Sequence, residues 1–265
     1  MISITSSSNS TIKEIKSLYR KKERWAKKMF LVEGTKMVEE CIDNNYPIEN
    51  IIYSEELFNK RGGEALFNKI NTHNRLIYVP NKLYREISDT ESPQGILATV
   101  RFRLRSIKDI RLSTKPFMLL LDEVQDPGNM GTIIRTGDAF GIDGIIVTEG
   151  CVDIYNPKVV RATMGSIFRM PIYHELDGIK VIEEFKRNNI KIYSTSLEGS
   201  EYIQKVNLKD ASVIIIGNES KGVSKSLESL ADNLVKIPML GEAESLNAAI
   251  ASSIIMYEAI RQRIQ

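Results

Sequence analysis

The chain has 265 residues, 42% of them hydrophobic and 26% charged, which excludes a disordered, collagen-like or coiled-coil protein. The length allows one large domain or two of typical size. The net charge is only +2, yet residues 1–105 carry 18 basic and 13 acidic side chains, and residues 106–265 carry 18 basic and 21 acidic ones. This asymmetry suggests a basic segment that binds a polyanion, joined to a second domain with another task.

The cysteines, Cys41 and Cys151, lie far apart, and the only histidines are His73 and His174. None of these residues has zinc-site spacing, so we predict no metal. No stretch approaches the roughly 18 apolar residues of a membrane span, and the first residues lack the pattern of a signal peptide. We therefore expect a reduced, cytoplasmic protein without a membrane partner.

The first hundred residues predict a small α/β domain. Ile12, Ile15 and Leu18 recur at helical spacing after a possible cap at Asn9 or Ser10. Short apolar runs typical of strands then alternate with helical patterns. The strand runs are MFLVEG, NIIYS, RLIYV and GILATV, and a turn is expected at residues 92–95.

The second half predicts a parallel sheet covered on both faces. The basic, non-periodic stretch 101–116 ends in Pro116, and we predict domains at 1–105 and 117–265 with a linker at 106–116. Continuous apolar strands, separated by helical segments, are typical of such a sheet. We expect helices over residues 130–140 and 245–263, and the strand runs are FMLLLDEV, IIVTEG, KIYST and SVIIIGNE.

Ligands bind beyond the carboxyl ends of parallel strands, so three loops in the second half are candidate sites. In DPGNMGTIIRT, Asn129 either caps a helix or, with Arg135 on the same face, holds a phosphate or ribose. GNESKGVS lacks the Walker pattern, and no GxGxxG follows a strand. In IPMLGEAESLN, Ser245 could simply cap the last helix.

Taken in order, these loops resemble the three motifs of the SpoU (TrmH) family of RNA ribose methyltransferases in the SPOUT superfamily. The resemblance rests on DPGNMGTIIRTGDAFG, IIIGNESKG and IPMLGEAESLNAAIA, and residues 156–172 resemble the family's connecting segment. The first hundred residues, with KMFLVEGTKMVEE, are similar to the substrate-binding domain of many SpoU proteins, which has a ribosomal-protein-like fold.

The resemblance implies an α/β fold whose carboxyl-terminal parallel sheet contains a deep trefoil knot. It also implies S-adenosylmethionine as cofactor and no metal. The residues that would bind the cofactor are Thr195, Gly217, Ile237, Met239 and Leu246.

The implied reaction is methyl transfer to a ribose 2′-hydroxyl, and 23S rRNA is the favoured substrate. The implied catalytic residues are Asn129, Arg135, Glu219, Ser245 and Asn247. A guanidinium stays protonated in proteins, so we expect Arg135 to act electrostatically while Glu219 or a phosphate oxygen takes the proton.

The family also implies a homodimer packed through the knot region, with Arg135 contributed across the interface. The stripe formed by Leu246, Ile250, Ile254 and Tyr257 fits burial there, although core packing would explain it equally.

The amino-terminal domain would bind the RNA. Its candidate contacts are Lys21, Lys22, Arg24, Lys27 and Lys28, with Trp25 available to stack on a base. The alternatives are a tRNA 2′-O-methyltransferase, a SPOUT enzyme that methylates a base nitrogen, and a non-catalytic RNA-binding factor with the same fold.

Overall fold

The computed structural model describes residues 2–73, 75–110 and 113–264. The strands, in chain order, are β1 Ile2–Ser3, β2 Met29–Glu33, β3 Ile48–Tyr53, β4 Leu76–Tyr78, β5 Ile96–Arg101, β6 Phe117–Leu121, β7 Gly144–Val147, β8 Ile172–His174, β9 Lys191–Thr195, β10 Glu201–Tyr202, β11 Ser212–Ile216 and β12 Asn233–Lys236. The α-helices are α1 Ser10–Ser17, α2 Lys21–Lys27, α3 Thr35–Asp43, α4 Gly63–Ile70, α5 Asn81–Ile87, α6 Pro127–Phe140, α7 Pro157–Ala162, α8 Gly178–Arg187, α9 Lys225–Glu228 and α10 Ala248–Arg263. Within the described ranges, no helix is both long and apolar enough to cross a membrane.

The chain divides into two compact units. Unit 1 contains residues 2–103 and 153–168, and unit 2 contains the described residues of 104–152 and 169–264. This division differs from the expected boundaries in two places. Residues 153–168 belong to unit 1, because Tyr155 stacks on Phe102 with ring centroids 3.9 Å apart and Phe168 packs on Tyr46.

The second difference concerns the expected linker at 106–116. Its described residues belong to unit 2, where Ile107 and Ile110 pack against the core and Arg105 bridges to Tyr173. Residues 111 and 112 lie outside the described residues. The basic composition of this segment concealed two apolar side chains that bind it to unit 2.

Unit 1 contains a mixed sheet in the order β1-β4-β3-β5-β2. As the periodicity predicts, Ile12, Ile15 and Leu18 are fully buried, and α1 begins at its cap, Asn9, whose side chain accepts a hydrogen bond from the Thr11 amide. These residues pack with strand residues such as Leu31 in one apolar cluster.

One aromatic and one basic residue of unit 1, Trp25 and Arg24, are less available to RNA than the sequence predicts. Trp25 is half-buried and packs edge-on against Phe102 and Tyr155, with ring centroids 5.8 and 6.5 Å away, so part of its ring is already used in packing within unit 1. Arg24 is 2% exposed and donates to Asp153 Oδ2 from Nε at 2.9 Å and from Nη2 at 2.6 Å. The prediction that Arg24 contacts RNA is therefore wrong.

Unit 2 contains a wholly parallel sheet in the order β10-β12-β9-β11-β6-β7-β8. Every residue of β6 and β11 is buried, which confirms the predicted sheet covered on both faces. On one face the strands pack with α8 in an apolar cluster. Helices α6 and α10 pack against each other.

Both predicted helices of unit 2 form, with different starts. Helix α6 begins at Pro127 because Asp126 caps it, accepting a hydrogen bond from the Asn129 amide at 2.8 Å. Helix α10 begins at Ala248 and is capped by Asn247, so Ser245 does not take the capping role that was one possibility for it. Pro127 suits the first position of α6, because an amide hydrogen at that position would have no partner within the helix.

The buried Arg24 generates a stability prediction. Replacing Arg24 with Met should lower the free energy of unfolding by about 3–5 kcal/mol, because it leaves the carboxylate of Asp153 buried without its partner. Chemical denaturation measures the change. The exposed neighbour Lys22, changed to Met, should shift stability by no more than about 0.5 kcal/mol. Equal small effects at both positions would contradict the structural role of Arg24.

Candidate functional site

Several loops meet at the carboxyl edge of the unit 2 sheet. Strands β6, β9, β11 and β12 are parallel, so the segments that follow them emerge on the same side. The segments that follow β9, β11 and β12 border a cavity of about 600 Å³. A volume of this size is typical of a site for a small organic ligand.

All five predicted cofactor residues line this cavity. They are Thr195, Gly217, Ile237, Met239 and Leu246. Glu219 and Ser245, predicted as catalytic, also line it. The cavity therefore gathers residues from three segments of the chain that are widely separated in sequence.

The cavity has further polar residues that sequence reasoning missed. They are Ser196, Glu198, Tyr202, Lys225, Glu228 and Lys236. Some of them could have been found, because they follow the carboxyl end of β9 as closely as the motif residues follow β11. Lys225 donates to Glu228 at 2.8 Å, and this hydrogen bond lowers the pKa of the Glu228 carboxyl below its usual value.

The loop after β11 is closed by its own backbone. Asn218 and Gly222 exchange two amide-to-carbonyl hydrogen bonds, each 3.0 Å long. A side chain at Gly217 would place its Cβ 2.2 Å from the Val223 nitrogen, so only glycine fits there. The space that a side chain at Gly217 would need is filled by the backbone of Gly222 and Val223, and all three residues line the cavity.

Asn129 joins the three motifs through its side-chain amide. Its Nδ2 donates to Glu219 Oε1 at 2.8 Å, and its Oδ1 accepts from Asn247 Nδ2 at 2.8 Å. Asn129 is therefore not the helix cap, which is one of the two roles considered from its spacing. It is a bridge between the loop after β11 and the start of α10.

The direction of these hydrogen bonds is determined by the cap of α10. Asn247 Oδ1 accepts from the amides of Ala249 at 2.9 Å and Ile250 at 3.2 Å. Its Nδ2 must then act as the donor toward Asn129 Oδ1. Asn129 consequently presents its own Nδ2 to Glu219, and this suits a carboxylate, which only accepts.

Arg135 lies apart from this hydrogen-bonded group. It is exposed on α6, six residues after Asn129. Six residues correspond to about 600° of helical rotation, so the two side chains point about 120° apart and are about 9 Å apart along the axis. The expectation that they share one face is wrong, and Arg135 points away from Asn129 into solvent in the single chain.

The carboxylates after β6 have structural partners. Asp122 Oδ2 accepts from the Ser224 amide at 2.8 Å, and Glu123 lies 3.6 Å from the Lys221 ammonium. In the described part of the chain, no three His, Cys, Asp or Glu side chains come together as metal ligands. Burial raises the pKa of the nearby Cys151 thiol to about 11.

The remaining predicted RNA contacts lie on α2 and at its end. Lys21, Lys22 and Lys28 are exposed. Lys27 is half-buried, and its ammonium lies 3.5 Å from Glu14 and 3.9 Å from Glu23. Three of the five predicted cations are therefore free to meet a polyanion from this surface.

Known proteins with similar sequences span nearly the whole chain. A 23S rRNA (guanosine(2553)-2′-O)-methyltransferase of Bacillus subtilis strain 168 is 32% identical over 97% of this chain and 98% of its own. A 23S rRNA (uridine(2479)-2′-O)-methyltransferase of Streptomyces viridochromogenes is 31% identical over 89% of this chain and 83% of its own.

A solved structure shares the fold. The SpoU methyltransferase AviRb from Streptomyces viridochromogenes, in complex with the cofactor AdoMet, superposes with a TM-score of 0.87 at 28% identity. The match covers 97% of this chain and 99% of that one.

Two family models match adjacent parts of the sequence. Residues 9–98 match the MRM3-like substrate binding domain. Residues 116–257, more than half of the chain, match the SpoU rRNA Methylase family. The motif residues that line the cavity all lie within this second match. The chain belongs to the SpoU rRNA methylase family.

Proposed function

We propose that this protein transfers a methyl group from S-adenosylmethionine to a ribose 2′-hydroxyl of 23S rRNA. The observation that carries the proposal is the Asn129–Glu219–Asn247 hydrogen-bonded group at the border of a cavity lined by all five predicted cofactor residues. Membership of the SpoU family and the 23S rRNA substrates named for two relatives support the reaction and the RNA class.

The cavity fits S-adenosylmethionine in size and chemistry. Ile237, Met239 and Leu246 provide an apolar wall for the adenine, and the backbone of the cavity-lining loop at Gly217 provides amide and carbonyl groups. The AdoMet complex of AviRb, which shares this fold, supports the same cofactor here. When bound, S-adenosylmethionine supplies an electrophilic methyl group on a sulfonium.

The residues of the chain align the ribose oxygen and remove its proton. Asn129 holds Glu219 Oε1 at 2.8 Å, which fixes the carboxylate at the cavity, where it can accept a proton. Arg135 stabilises the negative charge that develops on the ribose oxygen and binds the adjoining phosphate. Ser245 and Asn247 complete the polar border of the site.

The proposal includes a homodimer that brings Arg135 of a second chain to the site. Ile250, Ile254 and Tyr257 are 51%, 36% and 57% exposed on α10, so packing within the chain does not account for this apolar stripe. Exposed apolar stripes of this kind mark protein interfaces. Arg135, exposed on the neighbouring α6, is then available to a partner chain.

The proposal also includes the trefoil knot. In its support, β11 lies between β9 and β6, whereas β12 lies on the far side of β9. After β12 the chain runs along the cavity and returns to pack α10 against α6. We propose that this last segment passes through the loop formed by the chain before it.

We assign RNA binding to unit 1 and methyl transfer to unit 2. The match of residues 9–98 to a substrate binding domain supports the first assignment. The rRNA substrate also places the protein, in this proposal, in the cytoplasm.

The direct test uses labelled S-adenosylmethionine with separate pools of unmodified rRNA and tRNA. We expect label in 23S rRNA, recovered as a 2′-O-methylated nucleotide. Label in tRNA alone would favour the tRNA alternative. Cofactor binding without label in either pool would favour a non-catalytic RNA-binding factor.

Replacing Arg135 with Lys tests its electrostatic role. We expect kcat to fall about 10- to 100-fold, with a shifted pH profile, because the charge remains while the planar guanidinium is lost. Replacing Arg135 with Ala should lower kcat about 1000-fold, because the positive charge is lost as well. Single-turnover kinetics with RNA affinity measured in parallel provides the check, and full activity in the Ala variant would rule out the role.

Replacing Lys21 and Lys22 with Gln tests the RNA surface of unit 1. The slope of log affinity against log salt concentration should decrease in magnitude by about 1 to 2, because fewer counterions are released from the RNA. Lys180 and Lys191, exposed in unit 2, serve as a charge-matched control pair. An unchanged slope in the Lys21/Lys22 variant would remove these residues from the interface.

A further inference from the structure

We propose that Glu198 binds the ribose hydroxyls of S-adenosylmethionine. This inference rests on the proposed cofactor cavity and adds a residue to it. Glu198 lies in the loop after β9 and lines the cavity together with Thr195 and Gly217. Neither the motifs nor the catalytic proposal gives this residue a role.

The order of the strands puts Glu198 beside the middle of the bound cofactor. Strand β9 lies between β12 and β11, so the loop that contains Glu198 lies between the segments that follow those two strands. The segment after β12 carries the apolar wall proposed for the adenine, with Ile237 and Met239, and the segment after β11 carries Glu219 at the reacting end. In S-adenosylmethionine the ribose connects the adenine to the sulfonium. The carboxylate of Glu198 therefore faces the part of the ligand that bears the two hydroxyls.

The loop that carries Glu198 is held tightly against β12. The Gly199 amide donates to the Ser196 carbonyl at 3.2 Å, which closes a turn around Leu197 and Glu198. The Ser196 amide donates to the Val235 carbonyl at 3.0 Å, and a Cβ at Gly199 would lie 2.9 Å from the Val235 carbonyl carbon. The turn is thus fixed at both ends, and a carboxylate at its tip is positioned before the ligand arrives.

Glu198 is a cavity carboxylate whose two oxygens are not used within the described part of the chain. Glu219 accepts from Asn129, and Glu228 accepts from Lys225 at 2.8 Å. Glu244 is exposed, as Glu198 is, but it lies in the third motif, after β12, and not in the loop between the segments that follow β12 and β11. Within the described ranges, Glu198 takes part in no hydrogen bond or ion pair, so both of its oxygens can accept.

A carboxylate with two free oxygens matches a vicinal diol. Each ribose hydroxyl donates one hydrogen bond, and the two carboxylate oxygens can accept both at once. Acidic residues bind the ribose of dinucleotides in the same way. The ligand has two other donors, the α-ammonium of the methionine end and the N6 amine of adenine. The N6 amine lies at the adenine end, beside the proposed apolar wall of Ile237 and Met239. The test separates the ribose from the α-ammonium.

The experiment measures ligand affinity, without turnover, by titration calorimetry. The ligands are S-adenosylhomocysteine and 5′-methylthioadenosine, which share adenine and ribose, but only the first carries the amino-acid end. For Glu198→Ala we expect about tenfold weaker binding of both ligands, since the hydrogen bonds from the ribose hydroxyls to the carboxylate are lost. For Glu198→Gln we expect about threefold weaker binding of both ligands, because the amide oxygen still accepts one hydrogen bond.

The control is Glu183→Gln, an exposed carboxylate on α8 outside the cavity lining, which should bind both ligands as the wild type does. Weaker binding of S-adenosylhomocysteine alone would overturn the proposal in favour of the ammonium. Unchanged binding of both ligands by both Glu198 variants would also overturn it. A wild-type protein that binds neither ligand would instead overturn the cofactor site itself, and this inference with it.

Discussion

The side-chain amide of Asn129 is shared between two partners that lie 90 and 118 residues further along the chain, Glu219 and Asn247. Because the amide has one acceptor oxygen and one donor nitrogen, it can bridge the other two segments only with its nitrogen toward Glu219 and its oxygen toward Asn247. The cap of α10 fixes the direction of the series, and the series ends on a carboxylate at the cavity. The orientation of the proposed proton acceptor therefore depends on how a helix begins.

The same edge of the sheet explains why one cavity collects so many motif residues. Parallel strands carry their loops to one side, and the glycine at position 217 lets the two arms of the loop after β11 approach closely there. The loop after β9, fixed by Gly199 against β12, adds Glu198 between the two motif loops. In the proposed binding mode, the apolar ring, the diol and the cationic centre of the cofactor would meet complementary surfaces in the same order.

Charge in unit 1 has two different uses. Arg24 and Asp153 form a buried pair that joins residues 153–168 to the rest of that unit. Lys21, Lys22 and Lys28, only a few residues away, remain exposed. A buried charge is stable only with its partner, whereas an exposed lysine is available to a polyanion. The excess of basic residues in this part of the sequence therefore overstates the surface open to RNA.

The sequence by itself determined the α/β architecture, most strands and helices, and the motif residues that line the cavity. Periodicity and ordered motifs depend on neighbours a few positions apart, as for Ile12, Ile15 and Leu18 in α1. Only the tertiary structure decided that Arg24 is buried, that the stripe with Ile254 is exposed, and that Glu198 enters the cavity. These properties depend on partners far away in sequence, and an apolar stripe has the same spacing whether it faces a core or a second chain.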